Sequence, residues 1–292
     1  MKVLFLRGAW DERTQKSIDD DDDMWLQLAD GLGDADIVFF GSDKTRHIKY
    51  RNSDIWAYND LSKIDGDWDV VFARGGFNEY DPVVARLGGK KVYYGAGRRF
   101  CPDSNAYDIV LCDNGFQREA IGDNARVWSK PAANHFRPME GVKTYDLCYI
   151  ANGQQAEIKG TRWVYDTKPE PLNMLHLGYP SKYRVPERVV LVRESRRSMP
   201  MRISTCRVGI VPYWDGIDSA PRALIEMLAC GTPCVVADSV PYNGEALNCY
   251  RASKEDFWNT VFVALKNGPR GYEHFGTRID CAVSYIKGLL SK

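Results

Sequence analysis

Residues 211–238 read VPYWDGIDSAPRALIEMLACGTPCVVAD, a strand, a polar loop, a helix, a Gly-Thr-Pro turn and a second strand. The loop contains Asp218. Ser219 is the expected helix N-cap, and Pro221 fits the first turn, where a missing N–H costs nothing. The helix is expected to run to Cys230 and to stop at Gly231. Ala220, Ala223, Leu224, Met227 and Leu228 share one face at about 100° per residue, and Glu226 falls well away from it. Two readings of Glu226 stand at this point: an exposed side chain paired with Arg222 one turn earlier, or a carboxylate on the wall of a cleft.

Outward from this segment, short apolar runs recur with helical or loop material between them. Strands buried on both faces have this near-continuous apolar character. The first half offers Val3–Leu6, Ile37–Phe40, Val70–Ala73, Lys91–Tyr94 and Ile109–Cys112, with a short closing strand at Arg126–Trp128. The second half offers Leu147–Ile150, Met174–Leu177, Val189–Val192, Val208–Val211 and Pro233–Ala237. Two successive strand/helix series predict an α/β chain of two Rossmann-like, doubly wound domains facing a central cleft. The turn residues of Pro138–Lys143 set the expected domains at 1–138 and 139–292.

The 292 residues suffice for two domains, and a net charge of zero argues against a strongly basic nucleic-acid binder. Residues 1–138 carry a net −4 and residues 139–292 a net +4, so an anionic ligand suits the second half. Eight cysteines, at 101, 112, 148, 206, 230, 234, 249 and 281, show no CxxC pair and no zinc spacing; they read as reduced thiols. MKVLFL meets Arg7 and Gly8 too soon for a signal-peptide core, and no apolar stretch is long enough to span a membrane. A cytoplasmic protein is expected. The acids Asp19–Asp23 are expected as a solvated start to a helix over MWLQLADGL.

The segment around Asp218 and Glu226 resembles the donor-binding signature of the group 1 retaining glycosyltransferases with the GT-B fold. That signature has an acid, a small-residue loop and a second acid eight positions on. A helix end, Gly and Thr/Lys-Pro then precede an apolar strand, as MLACGTPCVVAD does here. The resemblance implies a nucleoside-diphosphate sugar as donor substrate, no separate cofactor and no metal. It gives the nucleotide ribose to Glu226, the transferred sugar to Asp218, and loop contacts to Ser219 and Ala220. The family usually has Glu at the first acid and Gly where Pro221 stands. Residues 145–160, YDLCYIANGQQAEIKG, resemble the first strand and loop of the donor domain and make Lys159 the cation for the diphosphate. The usual Arg early in that loop is absent at Ala151-Asn152-Gly153. Asn152, Arg162 and Arg7 are therefore added as candidate contacts, with Gly8 as a point of close backbone approach. KPAANHFRP (130–138) resembles the interdomain link and makes His135 a structural residue, and the resemblance also implies that the C-terminal helix, Tyr272–Leu290, returns toward the first domain. No His occupies the acceptor region at KVYYGAGRRFCP, where Gly95, Gly97, Arg98 and Arg99 are candidate cleft residues, as are Arg74-Gly75-Gly76.

The implied function is transfer of a sugar, with retention, to an acceptor hydroxyl on a glycan, a small molecule or nucleic acid. Two alternatives stay open. One is an epimerase or hydrolase of the same fold. The other is a non-enzymatic module whose arginines at 184, 188, 193, 196, 197 and 202 grip an anionic polymer.

Overall fold

A computed structural model describes residues 1–291 except 9, 41–44, 76–79, 96–105, 153–155, 180, 215–220, 241–247 and 270–277. The chain forms two compact units, Met1–Ala133 with Ile279–Lys292, and Asn134–Arg278.

The first unit is built on β1 (Lys2–Arg7), β2 (Asp34–Phe40), β3 (Arg46–Tyr50), β4 (Ser53–Tyr58), β5 (Val70–Arg74), β6 (Lys90–Tyr94), β7 (Ile109–Cys112) and β8 (Ala125–Val127). The strand order is β3-β4-β2-β1-β5-β6-β7-β8, and only the β3–β4 pair is antiparallel. Residues 3–7 of β1 are all buried, as a strand covered on both faces requires. Phe5 stacks on Phe72 of β5 with ring centroids 4.7 Å apart. The helices of this unit are α1 (Glu12–Asp19), α2 (Met24–Leu32), α3 (Asp81–Arg86), α4 (Gly115–Ile121) and the C-terminal Ile279–Leu290. That last helix packs on α2 through Ile279, Ala282, Val283 and Ile286. A Cβ at Gly31 would stand 2.8 Å from Val283 Cγ2, so the glycine lets the two helices approach.

Asp19–Asp23 does not form one solvated run. Asp19 closes α1, while the Asp21 carboxylate takes Tyr50 and Arg51. Asp22 is buried. Asp23 caps α2, accepting from the backbone N–H of Trp25 at 2.8 Å and of Leu26 at 3.2 Å. An unexpected helix, α1, and tertiary partners split the run between two helix ends.

The second unit contains β9 (Tyr145–Ile150), α5 (Thr161–Thr167), β10 (Met174–Leu177), β11 (Val189–Val192), α6 (Met199–Ser204), β12 (Cys206–Val211), α7 (Arg222–Ala229), β13 (Cys234–Ala237), β14 (Cys249–Ala252) and α8 (Phe257–Asn267). With α8 the chain-order count makes the C-terminal helix α9. The sheet is parallel throughout, ordered β11-β10-β9-β12-β13-β14. Counted within the unit this is 3-2-1-4-5-6, the doubly wound order whose direction reverses between β9 and β12. Every apolar run read as a strand is one. The sequence reading lacked the β3–β4 hairpin and β14, all toward sheet edges: RHIKY is mostly solvent-facing, and SDIWAY buries only alternate residues.

The helix after Asp218 starts later than expected. Pro221 occupies its N-cap in an extended conformation (φ −63°, ψ 129°), so Arg222 is the first helical residue and, among the described residues, no side chain caps the end. A proline fixes its own φ and suits entry into a helix; the expected cap, Ser219, lies outside the described residues. The far end is as read, with Cys230 as C-cap and Gly231 at φ +76°. Among the described residues, no helix is long and apolar enough to cross a membrane, and the seven described cysteines are all free thiols.

Candidate functional site

In an open parallel sheet, ligands bind outside the carboxyl ends of the strands where the order reverses. In the second unit these are the ends of β9 and β12. The chain leaving β9 is held by buried hydrogen bonds. The Tyr213 hydroxyl donates to the Ile150 carbonyl at 3.0 Å. His176 Nε2 donates to the Ala151 carbonyl at 2.9 Å, so its Nδ1 accepts from the Tyr165 hydroxyl at 2.6 Å. Both bonds suit a neutral imidazole, and burial pushes the His176 pKa down to about 4.

The same loop ends at Lys159-Gly160. The Tyr149 hydroxyl donates to the Lys159 carbonyl at 2.9 Å and lies 2.8 Å from Thr161 Oγ1. Gly160 adopts φ +71°, and a Cβ there would stand 2.5 Å from the Pro212 carbonyl oxygen. Only glycine fits this crossing of the β9 and β12 loops. The backbone behind Lys159 is therefore fixed. Its ammonium lies 5.8 Å from the centre of the Tyr213 ring. Burial lowers its pKa; the Glu226 carboxylate acts in the opposite direction, and Arg222 adds to the lowering.

Glu226 projects from α7 and is 3% exposed. Its Oε1 accepts from Arg196 Nη2 at 2.6 Å. This removes the reading of an exposed Glu226 paired with Arg222 and leaves the carboxylate as part of an interior charged group. Two cations, Lys159 and Arg196, act on one carboxylate, and Arg222 acts on Lys159. The start of α7 adds first-turn N–H groups of the kind that bind anions. Such an assembly suits an anion that also carries hydroxyl groups.

Asp218, Ser219 and Ala220 lie outside the described residues, as do Gly97, Arg98 and Arg99. Asn152 is exposed just beyond Ala151. Arg162 is exposed on α5, its Nε 3.5 Å from Asp166, and is not brought to Lys159. Arg7 and Gly8 belong to the first unit, at the carboxyl end of β1. The Arg7 guanidinium is buried, 3.0 Å from Asp23 and over the Phe39 ring at 4.9 Å. Arg74, at the end of β5, lies over Trp25 at 4.7 Å. His135 donates through Nε2 to the Arg196 carbonyl at 3.1 Å, a structural contact.

The sequence reading did not single out Arg196, His176 or Tyr213 for this site. Arg196 sat in a tract of arginines read together, yet each has its own setting. Arg202 pairs with Glu194 at 2.9 Å, Arg193 lies over Tyr179 at 4.5 Å, and Arg196 turns inward. His176 did carry a signal, as a polar residue inside the four-residue apolar strand MLHL.

No family model and no curated protein matches the sequence. Solved structures match over nearly the whole chain. An alpha-glucosyltransferase in complex with UDP and a 13-mer DNA containing an HMU base aligns with a TM-score of 0.69, 12% identity and 100% of both chains. The trehalose-6-phosphate synthase OtsA aligns with a TM-score of 0.69 and 8% identity, over 100% of this chain and 99% of that one. A sucrose-phosphate synthase from Thermosynechococcus elongatus aligns with a TM-score of 0.65 and 11% identity, over 99% and 98%. The fold is GT-B. At these identities the likeness is one of GT-B architecture, and the second unit holds the reversal of strand order beside which Lys159 and Glu226 lie.

Proposed function

We propose that the protein is a glycosyltransferase that moves a sugar from a nucleoside-diphosphate sugar to an acceptor hydroxyl with retention of configuration. The observation that carries this is the half-buried Lys159 ammonium, held on a fixed backbone beside buried Glu226 and the start of α7. A desolvated lysine with no ion pair among the described residues is costly unless an anion completes the site. Glu226 would accept from the ribose hydroxyls, and Lys159, Arg222 and the α7 N–H groups would hold the diphosphate. Asp218, by resemblance, meets the sugar. As the bond between the anomeric carbon and the diphosphate oxygen breaks, negative charge grows on the leaving phosphate, and Lys159 stabilises it. The anomeric carbon bonds to the acceptor oxygen, and that oxygen's proton passes to the departing diphosphate. Protein cations take the part a metal plays elsewhere, and the donor is a substrate, so no cofactor is required. The free thiols suit a reducing, cytoplasmic setting.

Structures of the DNA-bound alpha-glucosyltransferase contain UDP in one case and UDP-glucose in another. UDP-glucose and DNA bearing an HMU base are therefore the first donor and acceptor to assay, before glycans and small molecules. Incubation of UDP-glucose without acceptor separates transfer from hydrolysis or epimerisation. The decisive measurement is calorimetric UDP affinity in two variants. Lys159→Ala should lose affinity clearly, whereas Asp218→Asn should retain it and lose turnover. The reverse pattern would place the donor backwards; unchanged affinity in Lys159→Ala would remove Lys159 from the site, and unchanged turnover in Asp218→Asn would remove Asp218.

A further inference from the structure

On the second unit, a groove of about 320 Å³ lies between α5 and the loop after β12. Its wall is aromatic. Trp163 and Trp214 line it, with ring centroids 5.2 Å apart at 80°. Both are braced from behind: Phe257, fully buried, meets each ring edge-on at 5.4 Å, and Trp258 stacks on Trp163 at 5.5 Å and 8°. The Trp258 indole N–H donates to Thr167 Oγ1 at 3.0 Å, which ties this aromatic block to α5. The rings are therefore set before any ligand arrives, which lowers the entropic cost of binding.

The rim is polar but balanced. Arg162 and Lys254 oppose Glu157 and Asp166, so the charged lining is neutral as a whole. Arg162 is itself 3.5 Å from Asp166, and Glu157 is paired with Lys182 at 2.6 Å, so neither cation nor acid dominates the surface. A phosphate polymer requires a net positive track. A neutral sugar chain requires an aromatic face for its C–H surface, with carboxylates and hydroxyls to accept from its OH groups. The groove has both of the latter.

We propose that this groove binds a neutral oligosaccharide, as a site separate from the one around Lys159 and Glu226. Gly160, which lines the groove, directly follows Lys159, so a sugar chain seated there lies beside the donor site on the same unit. Titration of the full-length protein with maltohexaose, cellohexaose and xylohexaose, followed by tryptophan fluorescence, tests it. At least one should give a saturable change, and Asp166→Ala and Glu157→Ala, both at exposed positions, should each weaken it about tenfold through lost hydrogen bonds. Trp163→Leu should abolish the response; if that protein does not fold, the two acid variants carry the test. UDP affinity should stay unchanged in both acid variants. Three silent sugars would overturn the proposal. So would tighter binding of oligo-dT, which would make the groove a nucleic-acid surface. A parallel loss of UDP affinity would assign the groove to the donor site.

Discussion

At the scale of single residues, Glu226 and Lys159 differ in what their removal should do. Glu226→Ala takes a charged acceptor from the ribose and should weaken UDP binding by about 1.5–3 kcal/mol in calorimetry. Unchanged affinity in a folded variant would leave Glu226 as the structural partner of Arg196 alone. Arg196→Ala strands a buried carboxylate. Losing one partner of a buried pair costs about 3–5 kcal/mol, and the effect here should fall at the low end because Lys159 still acts on Glu226. Urea denaturation measures it, and a loss as small as that of a surface pair would mean Glu226 finds another partner. Lys159 works the other way. Its pKa lies below the ordinary lysine value because of burial, so at neutral pH the folded state carries a penalty for the ammonium. That penalty disappears as pH rises through the lowered pKa toward the unfolded one. Lys159→Met should therefore raise stability at pH 7 by about 1 kcal/mol while abolishing UDP binding, as residues kept for function do. A destabilised Lys159→Met protein would make Lys159 structural. Lys159 and Glu226 were legible as a pattern in the sequence, but their burial was not. Periodicity puts Glu226 off the apolar face of α7, and only packing against Arg196, thirty residues away, brings that side inside.

At the scale of elements, β9 and β10 are joined by a histidine that is also a pH sensor of stability. His176 is 1% exposed and bonded at both nitrogens, with its pKa near 4 in the folded chain against about 6.5 unfolded. The folded state stays neutral while the unfolded chain takes up a proton. Stability is therefore complete above about pH 6.5 and is lost as pH falls toward 4. Between pH 7.5 and 5 the loss should be about 2 kcal/mol in denaturant titrations. His176→Gln should flatten that slope; the same slope in the variant would point to the carboxylates instead. Strand positions in both sheets were legible because parallel strands covered on two faces must be apolar along their length. The β3–β4 hairpin was not, because one side of it meets solvent and its composition is that of a polar loop. Helix α1 escaped for a related reason: ERTQKSID has one strongly apolar residue, and the bond of its cap, Asp11, to the Thr14 N–H appears only in three dimensions.

At the scale of the whole molecule, the alternation of runs and helices already spoke for two doubly wound halves, but strand order did not follow from it. The 3-2-1-4-5-6 order of the second unit is what makes the ends of β9 and β12 neighbours, and so lets two loops far apart in sequence share Lys159, Tyr213 and Gly160. Nor did local pattern say what α9 covers, since an amphipathic helix fits many partners. In the structure α9 completes the first unit, although the chain reaches it only after the second. This layout separates stability from donor binding in a measurable way. Val283→Asp would put a carboxylate into the α2–α9 seam, where Val283 Cγ2 lies against Gly31, at a cost of several kcal/mol. Hydrogen exchange read by mass spectrometry should then show faster exchange in peptides of 1–133 and 279–292, with 134–278 little changed. UDP at a hundred times its Kd adds about 2.7 kcal/mol to whatever it binds. If Lys159, Glu226 and α7 hold the nucleotide, that added protection should fall on 134–278 and survive in Val283→Asp. Protection that falls instead on 1–133, and vanishes with the seam, would mean the nucleotide is held at the ends of β1 and β5, with Arg7 and Gly8 as its first contacts.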